Sequence, residues 1–287
     1  DVERSRGLGD VYKRQISGYG QTGPYKDLVG HDVNYISVGG ALGLIGSKNG
    51  TPAIPYNLIA DFAAGGMNAA YSIVCALFSR TNTGKGQKID TAMSDGVTYL
   101  LSAISGEYFN SVLIPNTGQM TLNGGVPYYN VFECQDGKYI SLGCIEANFW
   151  KNLCSTLNLE QFASSQHNEH EYQSIIRELE ATFKTKKRDE WWDIFREAED
   201  VAAAPVYEFN EVLDDPHMKA RNMFIEAGSV DGAVITQVGF GSKFTDTPGA
   251  VRNLGTIPGA DSENILREIG YSVDEIKKMV DSEIVFA

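Results

Sequence analysis

The chain has few of the residues that hold metals or cross-links. Its 287 residues contain four cysteines and four histidines. Cys75, Cys134, Cys144 and Cys154 have no metal-like spacing. Three of them fall in apolar segments, the usual setting of buried free thiols in a reducing compartment. His167 and His170 stand three apart with no further ligand nearby, so no metal site is expected. Those two and His217 lie in polar stretches and are assigned to the surface. Basic residues are also scarce, 24 against 37 acidic, for a formal charge of −13. Such a surface argues against nucleic acid or an anionic membrane as partner. It still allows a phosphorylated ligand, which needs only a few local Lys or Arg. No apolar run is expected to reach spanning length: Ala69 to Phe78 is short and holds Ser72. Repeats and low-complexity segments are lacking.

What is present is an ordinary apolar content of 43%, enough for one large domain or two smaller ones. Ile16-Ser17-Gly18 reads as a strand end entering a glycine-rich loop. A helix is predicted from Asp32 to about Leu44, with Gly39, Gly40 and Gly43 permitting close packing rather than breaking it. Asp61 is predicted to open a long apolar helix to about Arg80, stopped by Asn82 and Gly84. A strand at 87–92, a helix from Ser94 to about Phe109 and a linker at 111–128 follow. The apolar runs 129–134 and 139–143 flank Asp136-Gly137, a strong hairpin signal. Helices are expected near 147–157, 171–184, 188–198, 262–269 and 273–280, and strands within 201–206 and 224–236. Trp191 and Trp192, beside Lys186 and Arg188, are predicted to pack inward from a helix start rather than to bind a ligand.

Two glycine motifs are weak. Gly18-Tyr19-Gly20-Gln21-Thr22-Gly23 fits a dinucleotide fingerprint in letters, but Pro24 follows at once and no helix opens there to hold a pyrophosphate. A loop allowing close approach of a substrate is the better expectation. Gly84-Lys85-Gly86 lacks the upstream glycine and the hydroxyl residue of a P-loop.

Three ionisable residues sit at turns between apolar segments, where sites tend to form. They are His31 in Gly30-His31-Asp32-Val33-Asn34-Tyr35, Asp61 in Asn57-Leu58-Ile59-Ala60-Asp61, and Glu146 in Cys144-Ile145-Glu146-Ala147. A lone histidine is more often structural than catalytic. Asp61 could be a plain N-cap, and Glu146 a plain first-turn glutamate. A His and a carboxylate facing one volume could, however, exchange protons with a bound molecule from two sides.

With the segments Gly84–Asp90 and Phe132–Tyr139, these motifs in this order resemble the α-methylacyl-CoA racemase branch of the family III CoA-transferase (CaiB/BaiF-like) superfamily, from Ile16 to the C-terminus. The resemblance implies an α/β fold. It would have a Rossmann-like large domain, a smaller α+β domain, and C-terminal helices returning to the large domain. It implies an interlocked homodimer with an acyl-CoA thioester as substrate and no separate cofactor, CoA being part of the substrate. His31 and Asp61 would be the two acid/bases, and Glu146 would hydrogen-bond the histidine across the dimer. Gly30, Asp32, Tyr35, Asn57, Leu58 and Ile145 would line the substrate site, with the backbone at Asp32 serving the oxyanion. The alternatives are a CoA-transferase with Asp61 as nucleophile, or a non-catalytic acyl-CoA-binding fragment.

Residues 1–15 match nothing in that family, and Asp10–Gln15 reads like a translated adapter. They are expected to be a non-native leader that packs against nothing. Residues 16–115 are expected to be large domain, 125–222 small domain and 223–287 the C-terminal return. Family members carry a segment before the equivalent of Ile16, so the chain is expected to be a fragment. A cytoplasmic location is expected, with organellar targeting left open.

Overall fold

The structure is a computed structural model that describes residues 14–286. The chain divides between Val206 and Tyr207 into two compact units. The large-to-small boundary expected at 115–125 falls inside the first unit, and the boundary expected at 222/223 falls inside the second.

In the first unit, β1 (Arg14–Ser17) pairs in parallel with β2 (Ile89–Ala92), Arg14 opposite Ile89 and Ser17 opposite Ala92. The pairing takes in the backbones of Arg14 and Gln15. For these two the expectation of an unpacked leader fails, because Ile89 and Asp90 offer ladder partners to that backbone. Residues 1–13 lie outside the described residues.

Parallel strands need a long crossover, and the segment between them supplies three helical pieces. α1 (Asp32–Val38) is shorter than predicted. Gly39 caps it and Gly40 follows at φ +93°, so these glycines do end the helix. A short 3₁₀ turn, Leu42–Leu44, comes next. A π-helix then runs over Leu58–Met67 and continues without a break into α2 (Asn68–Thr83). Gly84, in the left-handed region at φ +70°, stops it. The N-cap is Asn57, and Asp61 lies within the first turn rather than capping it. The combined rod, Leu58–Thr83, is 26 residues long. By length and composition it could cross a membrane. This corrects the expectation that no apolar run was long enough, which counted only residues 69–78 and missed the ten π-helical residues before them. Ala60, Ala64, Gly65, Ala69 and Ala76 on this rod are buried within the protein.

The predicted helix after β2 is two helices, α3 (Met93–Leu100) and α4 (Ser102–Phe109), broken at Leu101. Missing side chains let α1, the π-helix and α3 approach closely. A Cβ on Gly39 would lie 2.6 Å from Val97 Cγ1, and one on Gly96 would lie 2.7 Å from Ala64 Cβ. Tyr35, Ile36, Ala41, Ala60, Ala64 and Val97 form the core between them.

The rest of the first unit is a three-stranded antiparallel sheet covered by helices. β3 (Tyr129–Glu133) and β4 (Tyr139–Gly143) form the predicted hairpin, with Gly137 at φ +76° in its turn. β5 (Ala203–Val206) joins the other edge of β4. α5 (Ala147–Thr156), α6 (Tyr172–Phe183) and α7 (Arg188–Glu197) bury Trp150, Ile175, Leu179, Phe183, Trp191 and Phe195 in one cluster with Phe132, Ile140 and Leu142. Trp191 is buried and Trp192 packs on the cluster, as predicted.

The second unit holds α8 (Phe209–Val212), α9 (Pro216–Ala220), α10 (Ser262–Glu268) and α11 (Val273–Asp281). The strands expected within 224–236 are β6 (Phe224–Val230) and β7 (Ala233–Val238), turning at Asp231-Gly232. Both turn residues have positive φ, which suits an Asp-Gly hairpin.

Candidate active site

His31 is the N-cap of α1, in extended backbone conformation. Its N–H donates to Asn34 Oδ1 at 3.1 Å, while its carbonyl accepts from the N–H groups of Asn34 and Tyr35. The imidazole is exposed. The cap thus fixes the backbone and leaves the ring free for chemistry.

Tyr35 locks the loop in front of it. Its hydroxyl donates to the Gly30 carbonyl. Its ring occupies the space beside Gly18, where a Cβ would lie 2.2 Å from Tyr35 Cε1. Tyr19 packs edge-on against that ring at 5.1 Å. Burial, reinforced by Tyr19 and by the charge of Asp61, pushes the Tyr35 phenol above its ordinary pKa. Gly18 therefore serves packing, and no helix opens after Gly23. Two of the loop's N–H groups are engaged within the chain: Gly20 donates to Ser17 Oγ and Gln21 to Asp90 Oδ2, both at 3.0 Å.

Asp61 stands half-buried in the first turn of the π-helix. Such helices are rare and recur at functional sites. Asn57 Nδ2 donates to its Oδ2 at 3.0 Å. Asn57 Oδ1 is buried without a partner among the described residues. Leu58 opens the π-helix and is exposed. Asp32, the residue after His31, is buried, and its Oδ2 accepts from the N–H groups of Ala60 at 2.7 Å and Asp61 at 2.9 Å. One side chain thus ties the start of α1 to the start of the π-helix, bringing the His31 and Asp61 segments together. Seven of the nine expected site residues, Gly30, His31, Asp32, Tyr35, Asn57, Leu58 and Asp61, belong to these two helix starts and the loop before α1.

Glu146 and Ile145 stand apart from these. Glu146 is the N-cap of α5, exposed, with no hydrogen-bond or ion-pair partner for its carboxylate among the described residues. Within one chain it does not bond His31. Its turn is nonetheless held firmly. Gln166 is buried, and its Nε2 donates to the carbonyls of Cys144 at 3.1 Å and Ile145 at 2.7 Å. Nothing in the sequence marks Gln166 for that task, because it lies twenty residues beyond the turn in a polar stretch.

His170 and His217 are exposed; His167 is exposed too, with its ring edge-on to Tyr128 at 5.6 Å. Among the described residues no group of three or more His, Cys, Asp or Glu is placed to hold a metal. A cavity of about 1050 Å³ lies elsewhere in the first unit, between the loop at Gly46–Lys48, the 118–125 segment and the sheet face at Tyr129 and Val131. None of His31, Asp61 and Glu146 lines it.

The chain is 34% identical over 278 residues to the α-methylacyl-CoA racemase of Homo sapiens, covering 96% of this chain and 71% of that one. It is 27% identical over 271 residues to the succinyl-CoA–L-malate CoA-transferase beta subunit of Chloroflexus aurantiacus, covering 91% of this chain and 66% of that one. The crystal structure of a CaiB/BaiF family protein from Brucella suis superposes with a TM-score of 0.72 at 24% identity, covering 89% of this chain and 67% of that one. The model of CoA-transferase family III matches residues 12–262, and the chain belongs to that family.

Proposed function

We propose that this protein interconverts the epimers of 2-methylacyl-CoA thioesters by 1,1-proton transfer. The observation that supports this best is the Asp32 bridge, which sets a free imidazole and a carboxylate on adjoining helix starts. The thioester acidifies its α-proton. His31 takes that proton from one face, the electron pair passes into the carbonyl as an enolate, and protonated Asp61 returns a proton to the opposite face. The reverse reaction exchanges the roles. The backbone N–H of Asp32, at the start of α1, would face the enolate oxygen, where the partial positive charge of a helix start favours an anion. No cofactor takes part, because the thioester is the activating group. The 34% identity to the human racemase supports the same reaction.

Glu146 completes the site from a second copy of the chain. Its lack of a hydrogen-bond or ion-pair partner among the described residues supports this, since a carboxylate facing an imidazole that becomes cationic stabilises it. The buried thiols of Cys134, Cys144 and Cys154 support a cytoplasmic, reducing setting.

The test is incubation with single epimers of 2-methylacyl-CoA in D₂O. Both epimers should incorporate α-deuterium and interconvert. His31→Ala and Asp61→Ala should each abolish interconversion, losing roughly 10²–10⁴ in rate, while each retains exchange from the other residue's face. CoA transfer to a free acid without α-deuterium would instead assign Asp61 as the nucleophile of a transferase.

A further inference from the structure

Asp32 is 4% exposed, a carboxylate buried at the first position of α1. A π-helix bonds each N–H to the carbonyl five residues back, so its first N–H groups have no acceptor within the helix. Two of these, on Ala60 and Asp61, are met by Asp32 Oδ2 from 28 and 29 residues away. Asp32 Oδ1 is buried without a partner among the described residues. A buried carboxylate left half-satisfied is costly, so a cap this expensive implies that its placement matters. His31 does not depend on it in the same way, because Asn34 Oδ1 already holds the His31 N–H at 3.1 Å. Asp61 has its backbone held by Asp32 and its Oδ2 by Asn57.

We infer that the Asp32 side chain is a positioning residue that fixes the start of the π-helix against the start of α1 and so sets the separation of Asp61 from His31. The inference rests on the proton-transfer reaction proposed above. It predicts a loss that is selective for one face of the substrate. A general structural role would lower both faces alike.

The experiment follows α-deuterium incorporation from each epimer separately in the purified protein, together with amide hydrogen exchange at Ala60 and Asp61. The face belonging to each acid/base is assigned from His31→Ala and Asp61→Ala. Asp32→Ala should lower incorporation at the Asp61 face on the order of 100-fold, the scale of a misplacement near 1 Å, with a far smaller loss at the His31 face. The amides of Ala60 and Asp61 should exchange faster. Asp32→Asn keeps an oxygen acceptor and should restore most of both signals. If Asp32→Ala does not fold, Asp32→Glu displaces the carboxylate by one methylene and should show the same selectivity. Equal losses at both faces, or amide protection unchanged in the variants, would overturn the inference. If the unmodified protein incorporates no α-deuterium while amide protection still depends on Asp32, the reaction is wrong and the bridge stands.

Discussion

Gln166→Leu separates the turn that presents Glu146 from the core beneath it. The substitution keeps approximate size and removes both bonds donated by Nε2, to the Cys144 carbonyl at 3.1 Å and the Ile145 carbonyl at 2.7 Å. Cys144 is 0% exposed, so its carbonyl is stranded, at a cost of about 1–3 kcal/mol. Ile145 is 40% exposed, so water can reach its carbonyl and only the net value of a bond is lost, about 0.5–1.5 kcal/mol. Burying an apolar side chain returns on the order of 1 kcal/mol. The net loss should therefore be about 0.5–3.5 kcal/mol. For a unit of this size each kcal/mol lowers the melting temperature by roughly 2–4 °C. Circular dichroism melts and urea titration measure it, and deuterium incorporation should fall as Glu146 loses its fixed position. Gln166→Glu adds a sign test. Its carboxylate would face two carbonyl acceptors, so the buried acid's pKa is raised above the unfolded value of about 4.3. Stability is then present below that pH and lost as pH rises through the folded value. A Gln166→Leu protein that melts and racemises like the unmodified one would refute the assigned role of Gln166.

Gly96→Ala should destabilise the first unit. Its Cβ would lie 2.7 Å from Ala64 Cβ and 2.8 Å from the Ala64 carbonyl oxygen. Overpacking of about 1–3 kcal/mol exceeds the roughly 1 kcal/mol that Ala gains over Gly in a helix, so a raised melting temperature would contradict the close packing. Native protein at pH 8 should alkylate readily at Cys75, which is exposed, and at the three buried thiols only after denaturation, as counted by mass spectrometry. Burial raises Cys134 and Cys144 from 9.0 to about 11 and Cys154 to about 12. Thiols neutral in the folded state and ionised in the unfolded one make stability fall as pH rises from 9 toward 11, and a flat alkaline profile in urea titrations would contradict this. Mixing inactive His31→Ala and Glu146→Ala chains tests the shared site. A heterodimer has one site with both lesions and one with neither, so activity should partly return; verified heterodimers without activity would place Glu146 outside the partner's site.

Local chemistry made part of this protein legible in its sequence. The β3–β4 hairpin follows from Asp136-Gly137 between apolar strands, and its bounds lie close to those expected. Trp191 points inward because its helix has a one-sided apolar pattern, and periodicity is local information. His31, Asp61 and Glu146 were visible as charged residues where apolar segments turn, and each does lie at the start of a helix. Only the tertiary structure decided how those starts are joined. An i→i+5 ladder leaves no signature in an apolar run, so the π-helix beneath Asp61 could not be read, nor could its effect on the length of the rod that includes it. Gly39 and Gly40 end α1, Gly39 also admits Val97, and the chain pattern alone does not separate those roles. Asp32 looks like a first-turn acid until the N–H groups of Ala60 and Asp61 are brought to it. Gln166 is one more polar residue until two carbonyls close on it. Hydrogen bonds that cross twenty or more residues depend on where the backbone has already been placed, and that placement is a property of the packed fold.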